Sequence, residues 1–354
     1  MKIVRVEIHR LPLKLREPYT IAYETIDHVE NVLVKLVTDG PHVGIGVSAP
    51  DHGVTGETVE ASHTAFTDIV EPLLVGSDAL RRSVVMEDLH DRLADHPATR
   101  AAVDMALHDL LGKAAGLPVW RLLGGFRASI PTSVTLFIED ADTTVRRARE
   151  FVDQGFMALK IKGGRDVGDD IDRVKAVRAA VGPDIELRFD ANQGFDPDTA
   201  RTFYRSTIDA GVAMIEQPTP AASLGELRSV SHSVSLPVMA DESILSLADA
   251  FLFARGDAMD MVNLKLAKVG GLDAAMMING VARAAGLEVM VGCMDEAALS
   301  IASGLAFALS RRNVEYADLD GHLDLLDDPT AGTVRLDRGV LSPLDLPGFG
   351  LADL

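Results

Sequence analysis

The chain is poor in several features that would restrict its class. Among 354 residues it has a single cysteine, Cys293, which excludes an internal disulfide framework and is typical of a reducing cytoplasm. No apolar run approaches the ~18 residues of a membrane-spanning helix, and the alternating N-terminus lacks the apolar run of a signal peptide. Basic residues are few beside acidic ones, 34 against 53, which argues against nucleic acid or an anionic membrane as partner. We therefore expect a soluble cytoplasmic protein with neither of these partners.

Hydrophobic residues are plentiful, and their spacing divides the chain into three zones. At 47% of the sequence they suffice for the cores of one large and one smaller domain. Residues 1–50 alternate as antiparallel strands do, whereas residues 57–115 have helical spacing that ends at a glycine, Gly116. From about residue 130, strand and helix patterns alternate.

The alternating zone predicts an α/β barrel. Its strand candidates are residues 132–137, 156–162, 185–190, 212–216, 236–241, 259–265, 288–292 and 314–318. Helical stretches lie between them, for example 142–154, 170–181 and 272–285. Such alternation implies a parallel sheet, and eight repeats imply closure into a barrel, here without its eighth helix. The turn-rich tail is expected to return to the N-terminal sheet, so that residues 1–125 and about 325–354 form a cap on a barrel of residues 126–324.

Charged residues recur where the predicted strands end. In strand 156–162, side-chain alternation puts Lys160 and Lys162 on the inward face. The same parity gives five successive strands an inward charged residue at the carboxyl end, namely Lys162, Asp190, Glu216, Asp241 and Lys265. One such residue alone is an ordinary solvated strand end. Five in register predict a functional site, because barrel enzymes carry their chemistry at this end of the strands.

The order of these charges, base, acid, acid, acid, base, predicts a metal site between two lysines. Three converging carboxylates repel one another unless a cation joins them, and oxygen-only ligands suit Mg²⁺, with Mn²⁺ as a substitute. Strands two and six of eight are opposite, so Lys162 and Lys265 should face each other across the barrel mouth. One lysine would remove a proton and the other would return one from the opposite side, which inverts a carbon next to a carboxylate.

Two further lysines receive different interpretations. Lys160 is a like charge beside Lys162, and such a neighbour disfavours protonation, so Lys160 would help to make Lys162 a usable base. Lys160 is also a candidate contact for the substrate carboxylate. Lys268 has the other parity and is expected to lie outside the site.

Several segments together are typical of a known family. They are "KIK" (160–162), "DANQG" (190–194), "IEQP" (215–218), "ADES" (240–243), "NLKLAKVGG" (263–271) and "AAVDMALHDLLGK" (101–113). Over nearly its whole length the chain resembles the enolase superfamily, in its muconate-lactonizing subgroup. The resemblance implies a modified TIM barrel, (β/α)7β, with an α+β cap over its mouth. It also implies one Mg²⁺ per subunit on Asp190, Glu216 and Asp241, and Lys162 with Lys265 as the acid/base pair.

Within that superfamily, three stretches are similar to dipeptide epimerases. "APDHGVTGET" (49–58) resembles their cap loop, and "VGCMDEA" (291–297) resembles the end of their seventh strand, with Ala297 in place of the usual serine. "ADLDGH" (317–322) carries Asp318 and Asp320, which match a pair that binds the free amino terminus of the substrate. The resemblance implies an isomerase that inverts the α-carbon of the C-terminal residue of an L,L-dipeptide. Strand eight lies opposite strand four, so a dipeptide with its carboxylate on the metal would reach this pair.

Side-chain preference is expected to depend on the loop of residues 16–28. Relatives that act on Ala-Glu carry an arginine near the position of Glu24, and Asp51 and Asp295 are acidic as well. Because carboxylates repel a glutamate side chain, we expect a preference for basic or at least non-acidic dipeptides. Arg16 or His52 are the alternative sources of the missing cation.

Other functions remain open on the same scaffold. An o-succinylbenzoate synthase, an N-acylamino-acid racemase or a muconate-type cycloisomerase would leave Asp318 and Asp320 unexplained, because their substrates lack a free ammonium. An acid-sugar dehydratase would need a histidine that "EVMVGCMDE" (288–296) does not offer. A catalytically silent metal-binding barrel predicts loss of a lysine or carboxylate of the site, and all are present. By analogy with relatives, a homo-oligomer is expected.

Overall fold

The computed structural model describes residues 1–351, and its N-terminal part is an antiparallel sheet covered by helices. The strands are β1 (Ile3–Leu15), β2 (Tyr19–Thr20), β3 (Thr25–Ile26), β4 (Val29–Thr38) and β5 (Val43–Ser48). The helices are α1 (Val59–Ala65), α2 (Glu71–Leu74), α3 (Arg82–Arg92), α4 (Pro97–Ala115) and α5 (Val119–Leu122), with a π-helical turn, Phe66–Val70, between α1 and α2. Helix α4 ends at Gly116, whose φ of 66° is the left-handed conformation that glycine favours at this position.

The rest of the chain alternates strand and helix. Its strands are β6 (Ile130–Pro131), β7 (Val134–Leu136), β8 (Ala158–Lys162), β9 (Glu186–Asp190), β10 (Val212–Glu216), β11 (Val238–Ala240), β12 (Met261–Lys265), β13 (Glu288–Gly292) and β14 (Val314–Asp318). Its helices are α6 (Ala141–Asp153), α7 (Val167–Val181), α8 (Pro197–Thr207), α9 (Leu224–Ser231), α10 (Leu247–Arg255), α11 (Leu266–Val269), α12 (Leu272–Ala284) and α13 (Ala298–Ala308), with a 3₁₀ turn, Ile208–Ala210.

Strands β7 to β14 form one parallel sheet in chain order, and a bridge between Thr132 and Ala317 brings its two edges together. The predicted barrel fold is therefore confirmed. Helix α7 begins before the predicted residue 170, because the Asp166 carboxylate accepts hydrogen bonds from the backbone N–H groups of Gly168 and Asp169 and caps the helix there.

The barrel interior below the site is filled by sulfur-containing side chains. Met214, Met239, Met261 and Met290, from β10 to β13, are all buried and pack together. Met214 and Met239 lie two residues before Glu216 and Asp241, so strand alternation points each methionine to the same side as the acidic residue that follows it. A solid lower barrel leaves room for ligands only at the carboxyl ends of the strands.

The first part of the C-terminal tail returns to the N-terminal sheet, and the part after it pairs with β6. Strand β15 (Leu325–Leu326) pairs with β1, while β16 (Val334–Asp337) and β17 (Val340–Pro343) form a hairpin that adds to β6. The division of the chain at residues 125 and 325 stays a prediction, and its last residues, 352–354, lie outside the described part of the structure. Within residues 1–351, no helix combines the length and apolar character that crossing a bilayer requires.

Helix α4 lies unusually close to β5, and two glycines permit this approach. A Cβ atom added to Gly46 would lie 2.0 Å from the carbonyl oxygen of Ala102, and one added to Gly44 would lie 2.3 Å from that of Ala106. Both clashes are with helix backbone, which cannot rotate away as a side chain can.

Gly46→Ala is therefore expected to lower the free energy of unfolding by about 1–3 kcal/mol, since the helix must shift to admit the methyl group. Urea denaturation followed by circular dichroism measures this change. The matched control is Gly280→Ala in α12, where an added Cβ meets no atom within 4 Å; it should stabilise by up to ~1 kcal/mol. Equal stabilities of the two variants would contradict the packing argument.

Candidate active site

The five predicted strand-end residues lie together at the carboxyl ends of β8 to β12. Lys162 Nζ is 2.9 Å from Asp190 Oδ2, and Lys265 Nζ is 2.7 Å from Asp241 Oδ2. Glu216 ends β10, the strand between those of Asp190 and Asp241. The two lysines thus contact opposite ends of a row of three buried carboxylates.

Neutral donors hold two of these carboxylates by one oxygen each. Asp190 Oδ1 accepts a hydrogen bond of 2.9 Å from the backbone N–H of Asn192, and Glu216 Oε1 accepts one of 2.7 Å from Asn263 Nδ2. Asn192 Oδ1 in turn accepts from Lys162 Nζ at 2.9 Å. The second oxygen of each carboxylate, Oδ2 or Oε2, is the one that faces the lysines.

The third carboxylate is held by a lysine that the sequence analysis put outside the site. Lys268 Nζ donates to Asp241 Oδ1 at 2.6 Å, so that expectation is wrong. Strand parity failed here because β12 ends at Lys265 and the chain turns at once into α11, where side-chain direction follows helical geometry.

Lys160 lies deeper than expected. Its ammonium is only 2% exposed and contacts three carboxylate oxygens, Asp190 Oδ2 at 3.0 Å, Glu216 Oε2 at 2.9 Å and Asp318 Oδ2 at 2.8 Å. Although burial by itself disfavours the charged amine, these carboxylates raise the pKa of Lys160 well above its usual value. These ion pairs offset its charge, so its predicted influence on Lys162 is weakened. A contact with a substrate carboxylate remains a prediction.

The pKa values of Glu216 and Asp241 shift in opposite directions. Burial, followed by the charge of Asp190, raises the pKa of Glu216 to about 8. For Asp241, burial acts in the same direction, but Lys265 and Lys268 outweigh it and hold the pKa well below its usual range. Burial disfavours the Lys265 ammonium, yet Asp241 raises its pKa well above normal.

Asp318, the last residue of β14, and Asp320, two residues beyond it, lie at the same mouth. Asp318 Oδ1 accepts a hydrogen bond of 2.6 Å from Ser133 Oγ, and Asp320 Oδ2 accepts one of 2.7 Å from the backbone N–H of Thr135. Burial, followed by the charge of Asp318, raises the pKa of Asp320 to about 7. Lys160 connects Asp318 to Glu216 across the barrel, as the opposite positions of strands eight and four predict.

The loop of residues 16–28 covers the mouth and is attached to the barrel. The Tyr19 hydroxyl donates to the Asp295 carboxylate, and the Tyr19 ring stacks on Phe137 with centroids 3.9 Å apart. The Thr20 carbonyl accepts from the backbone N–H of Ile138 at 3.0 Å. Beneath this loop lies an inner cavity. Its lining consists of cap residues, Asp318, Asp320 and three lysines, namely Lys160, Lys162 and Lys265.

A second, outer cleft adjoins the inner cavity between the cap loops and is strongly acidic. Asp51 and Asp295 line both spaces, whereas Glu24 is exposed and lines only the outer cleft. Burial raises the pKa of Asp295 to about 6. Of the two alternative cations, His52 lines the outer cleft, while Arg16 lies 3.8 Å from Asp324.

Asp104, His108 and Asp273 form another group of metal-ligating side chain types where α4 meets α12. Arg82 Nη2 lies 3.0 Å from Asp273 Oδ1, and His108 Nδ1 lies 3.1 Å from Asp104 Oδ1. Burial disfavours the charged imidazole, but Asp104 raises the pKa of His108. Arg82 already pairs with Asp273, and Asp104 Oδ2 accepts from the backbone N–H groups of Leu272 and Asp273 at the start of α12, so we assign the group to packing between α4 and α12.

Sequence reasoning did not single out several polar residues of the site. Asn263 has the inward parity of β12, and Asn192 lies two residues after Asp190, so both carried a usable signal. Ser133 directly precedes β7 and Thr135 lies within it, and neither carried a signal, because their role depends on the closure of β7 against β14.

The barrel, its α+β cap and the carboxylates between two lysines define the class of this protein. Residues 3–124 match the family "Mandelate racemase / muconate lactonizing enzyme, N-terminal domain", and residues 143–352 match "Enolase C-terminal domain-like". The chain belongs to this family, the enolase superfamily, as its motifs predicted.

Individual relatives carry more specific names. The chain is 40% identical to the L-Lys-D/L-Arg epimerase of Desulforapulum autotrophicum, over 99% of both chains. The substrate-liganded L-Ala-D/L-Glu epimerase of Bacillus subtilis superposes with a TM-score of 0.96 at 34% identity, covering 99% of this chain and 98% of that one. The dipeptide epimerase of Methylococcus capsulatus, solved with Mg and the dipeptide L-Arg-D-Lys, has a TM-score of 0.93 at 37% identity, covering 99% of both chains.

Proposed function

We propose that the chain is a Mg²⁺-dependent dipeptide epimerase, an isomerase that inverts the α-carbon of the C-terminal residue of an L,L-dipeptide. The observation that carries this proposal is the attachment of Lys162 and Lys265 to opposite ends of the carboxylate row, at 2.9 and 2.7 Å. Two amines on opposite sides of one carbon can remove a hydrogen from one face and return one to the other. Relatives that are similar in sequence and relatives that are similar in structure are both named epimerases, which supports the same reaction.

Asp190, Glu216 and Asp241 are the residues that would hold the cation. The donor set fits, because all three side chains are buried and each has an oxygen that faces a neighbouring lysine, and hard divalent cations prefer such oxygen ligands. When a divalent cation is bound there, it acts as a Lewis acid and makes the hydrogen next to a bound carboxylate more acidic. Mn²⁺ is the expected substitute.

The two lysines then need opposite protonation states. In one direction, Lys162 on the β8 side would accept the α-proton as a neutral amine, and Lys265 on the β12 side would return a proton as an ammonium. In the reverse direction the roles exchange. The inner cavity lies under the cap loop, which excludes water from the proton being moved.

Asp318 and Asp320 are proposed to bind the free amino terminus. Asp318 is buried and Asp320 half-buried at the wall of the inner cavity, and such a carboxylate pair is stabilised by a cation. This requirement distinguishes a dipeptide from the substrates of an N-acylamino-acid racemase or an o-succinylbenzoate synthase, which lack the ammonium.

The experiment incubates the protein with Mg²⁺ and L,L-dipeptides in D₂O and follows the α-hydrogen by NMR. We expect deuterium at the C-terminal α-carbon together with formation of the L,D-epimer. The same dipeptide acetylated at its amino terminus is the matched control and should react far more slowly. Preference for the acetylated compound would favour a racemase, and absence of exchange with every dipeptide would refute the proposal.

Basic side chains are the proposed preference. Asp51, Asp295 and Glu24 give the space beside the inner cavity a negative potential, and the relative at 40% identity is named for Lys and Arg. We expect Lys-Arg dipeptides to exceed Ala-Glu in kcat/KM. Ala-Glu as the best substrate by a wide margin would contradict this.

Asp51→Asn provides a direct test of the charge. Its Oδ1 already accepts from the backbone N–H of Val54 at 2.9 Å, which the amide oxygen of asparagine can also do. Since a charged hydrogen bond contributes about 1.5–3 kcal/mol, kcat/KM for a Lys-Arg dipeptide should fall roughly 10- to 150-fold. Hydrophobic dipeptides serve as the control and should change little; an equal loss for both would remove Asp51 from the specificity argument.

Two further parts of the proposal concern context. A homo-oligomer is supported by large apolar side chains that are exposed on α10 and beside it in α12, namely Leu247, Phe251, Leu252 and Met277. Sedimentation analysis measures the oligomeric state.

The cytoplasm is proposed as the compartment because the chain has one cysteine, Cys293, and it is free.

A further inference from the structure

Lys268 is a fully buried cation that does not line the inner cavity. It lies in α11, the single turn after β12, and its side chain is 0% exposed. Its ammonium donates to the Asp241 carbonyl oxygen at 2.5 Å, to Asp241 Oδ1 at 2.6 Å and to the Asn263 carbonyl oxygen at 3.0 Å. All three ammonium hydrogens therefore have partners on β11 and β12.

A lysine buried in this way is not explained by stability. Desolvating an ammonium costs several kcal/mol, and apolar replacements of buried ion pairs are often as stable as the pair. The gain must then lie in where the partner groups are held. Lys268 fixes the carbonyl and one carboxylate oxygen of Asp241 at once, which restrains rotation of the carboxylate about its χ2 angle.

The anchoring of Asp241 differs from that of its two neighbours. Asp190 and Glu216 are each held through one oxygen by a neutral N–H group, whereas Asp241 is held by a full positive charge. With Oδ1 occupied from behind by Lys268, Oδ2 is left to face Lys265 at 2.7 Å. Each oxygen of Asp241 thus faces a different lysine.

Lys268 also reaches a second carboxylate indirectly. Its third hydrogen bond is donated to the backbone carbonyl oxygen of Asn263, and the side chain of Asn263 donates to Glu216 Oε1 at 2.7 Å. Lys268 thus joins the end of β11 to β12, and through Asn263 it also influences the orientation of Glu216.

We propose that Lys268 is a positioning residue, which aims Asp241 Oδ2 at the cation site and at Lys265 and steadies Glu216 through Asn263. The inference rests on the proposed function, because the aim of Asp241 matters only if its carboxylate binds a cation. Lys268 acts through Asp241 and does not itself contact the substrate space.

The test compares Lys268→Met with a matched buried lysine, Lys113→Met. Met keeps the apolar length of the lysine stem and removes the charge. Lys113 lies in α4 and pairs with the buried Asp109 at 2.9 Å, so its loss removes a buried ion pair away from the site. The probe is Mn²⁺, titrated without substrate and followed by electron paramagnetic resonance and calorimetry.

We expect Lys268→Met to bind Mn²⁺ about 10- to 100-fold more weakly, the usual effect of losing a group that orients a metal ligand. At saturating Mn²⁺ its kcat should stay lower than that of the wild type with little change in KM, because Lys265 loses its aligned partner. Lys113→Met should lower the melting temperature and leave Mn²⁺ affinity unchanged.

Mn²⁺ affinity of folded Lys268→Met within twofold of the wild type would overturn the inference and leave only a structural role. If Lys268→Met does not fold, Lys268→Leu, which removes both the charge and the donor, is measured against the same limit. Failure of the proposed function has a different signature, which is a wild-type chain that binds no Mn²⁺ or exchanges no α-hydrogen.

Discussion

Alanine at Lys162 or at Lys265 is expected to abolish epimerisation while leaving half of the exchange chemistry intact. Each lysine serves one face of the α-carbon, so each variant should exchange deuterium into at most one of the two epimers. The two variants should retain opposite epimers. Loss of a general acid or base reduces the rate by about 10²–10⁴-fold, and epimerisation needs both lysines.

The measurement follows α-deuterium incorporation into the L,L- and L,D-forms separately, with the wild type and both variants. Lys175→Ala is the control, because this lysine is exposed on the outer helix α7 and should leave both rates unchanged. Exchange of the same epimer by both variants would mean that the lysines act on one face, and the two-base mechanism would be lost.

Glu216→Gln is expected to have the second large effect. It keeps the size of the central side chain and removes its charge, so a divalent cation loses one of three anionic ligands. Since Lewis-acid stabilisation amounts to several kcal/mol and each ~1.4 kcal/mol is tenfold, kcat/KM should fall by roughly 10³-fold or more. Calorimetry should show weaker Mg²⁺ binding by the same variant.

The pH dependence of Mg²⁺ binding gives an independent check of that carboxylate. Burial and Asp190 raise the pKa of Glu216 to about 8, so below this pH a proton competes with the cation. The wild type should therefore bind Mg²⁺ more tightly at pH 8.5 than at pH 6.5, and release protons on binding. Glu288→Gln, an exposed glutamate at the opposite end of β13, is the control and should keep wild-type affinity.

The five strand-end residues show what the alternation of side chains along a strand can predict from sequence. Lys162, Asp190, Glu216, Asp241 and Lys265 are regular strand residues or follow one directly, and alternation along a strand reads their direction from the sequence. Their meeting at one end follows from a closed parallel sheet, which the alternation of strand and helix also predicts.

Lys160 and Lys268 show where this reading stops. Parity put Lys160 inward but did not give its depth, and its depth decides that it contacts three carboxylates. Lys268 follows the end of β12 by a single turn, and only the path of that turn directs its ammonium back onto Asp241. Ser133 gives Asp318 its hydrogen bond across the barrel closure, between residues far apart in the chain.

The sequence by itself therefore determined the family, the barrel with its cap and the row of charges at its mouth, because strand and helix periodicity and short motifs are local properties of the chain. Tertiary structure alone decided which oxygen of each carboxylate is held and which faces the lysines, how deeply Lys160 is buried, and that Lys268 belongs to the site. These depend on distances between strands, helical turns and cap loops, and such distances arise only when the barrel closes and the loop of residues 16–28 packs over it.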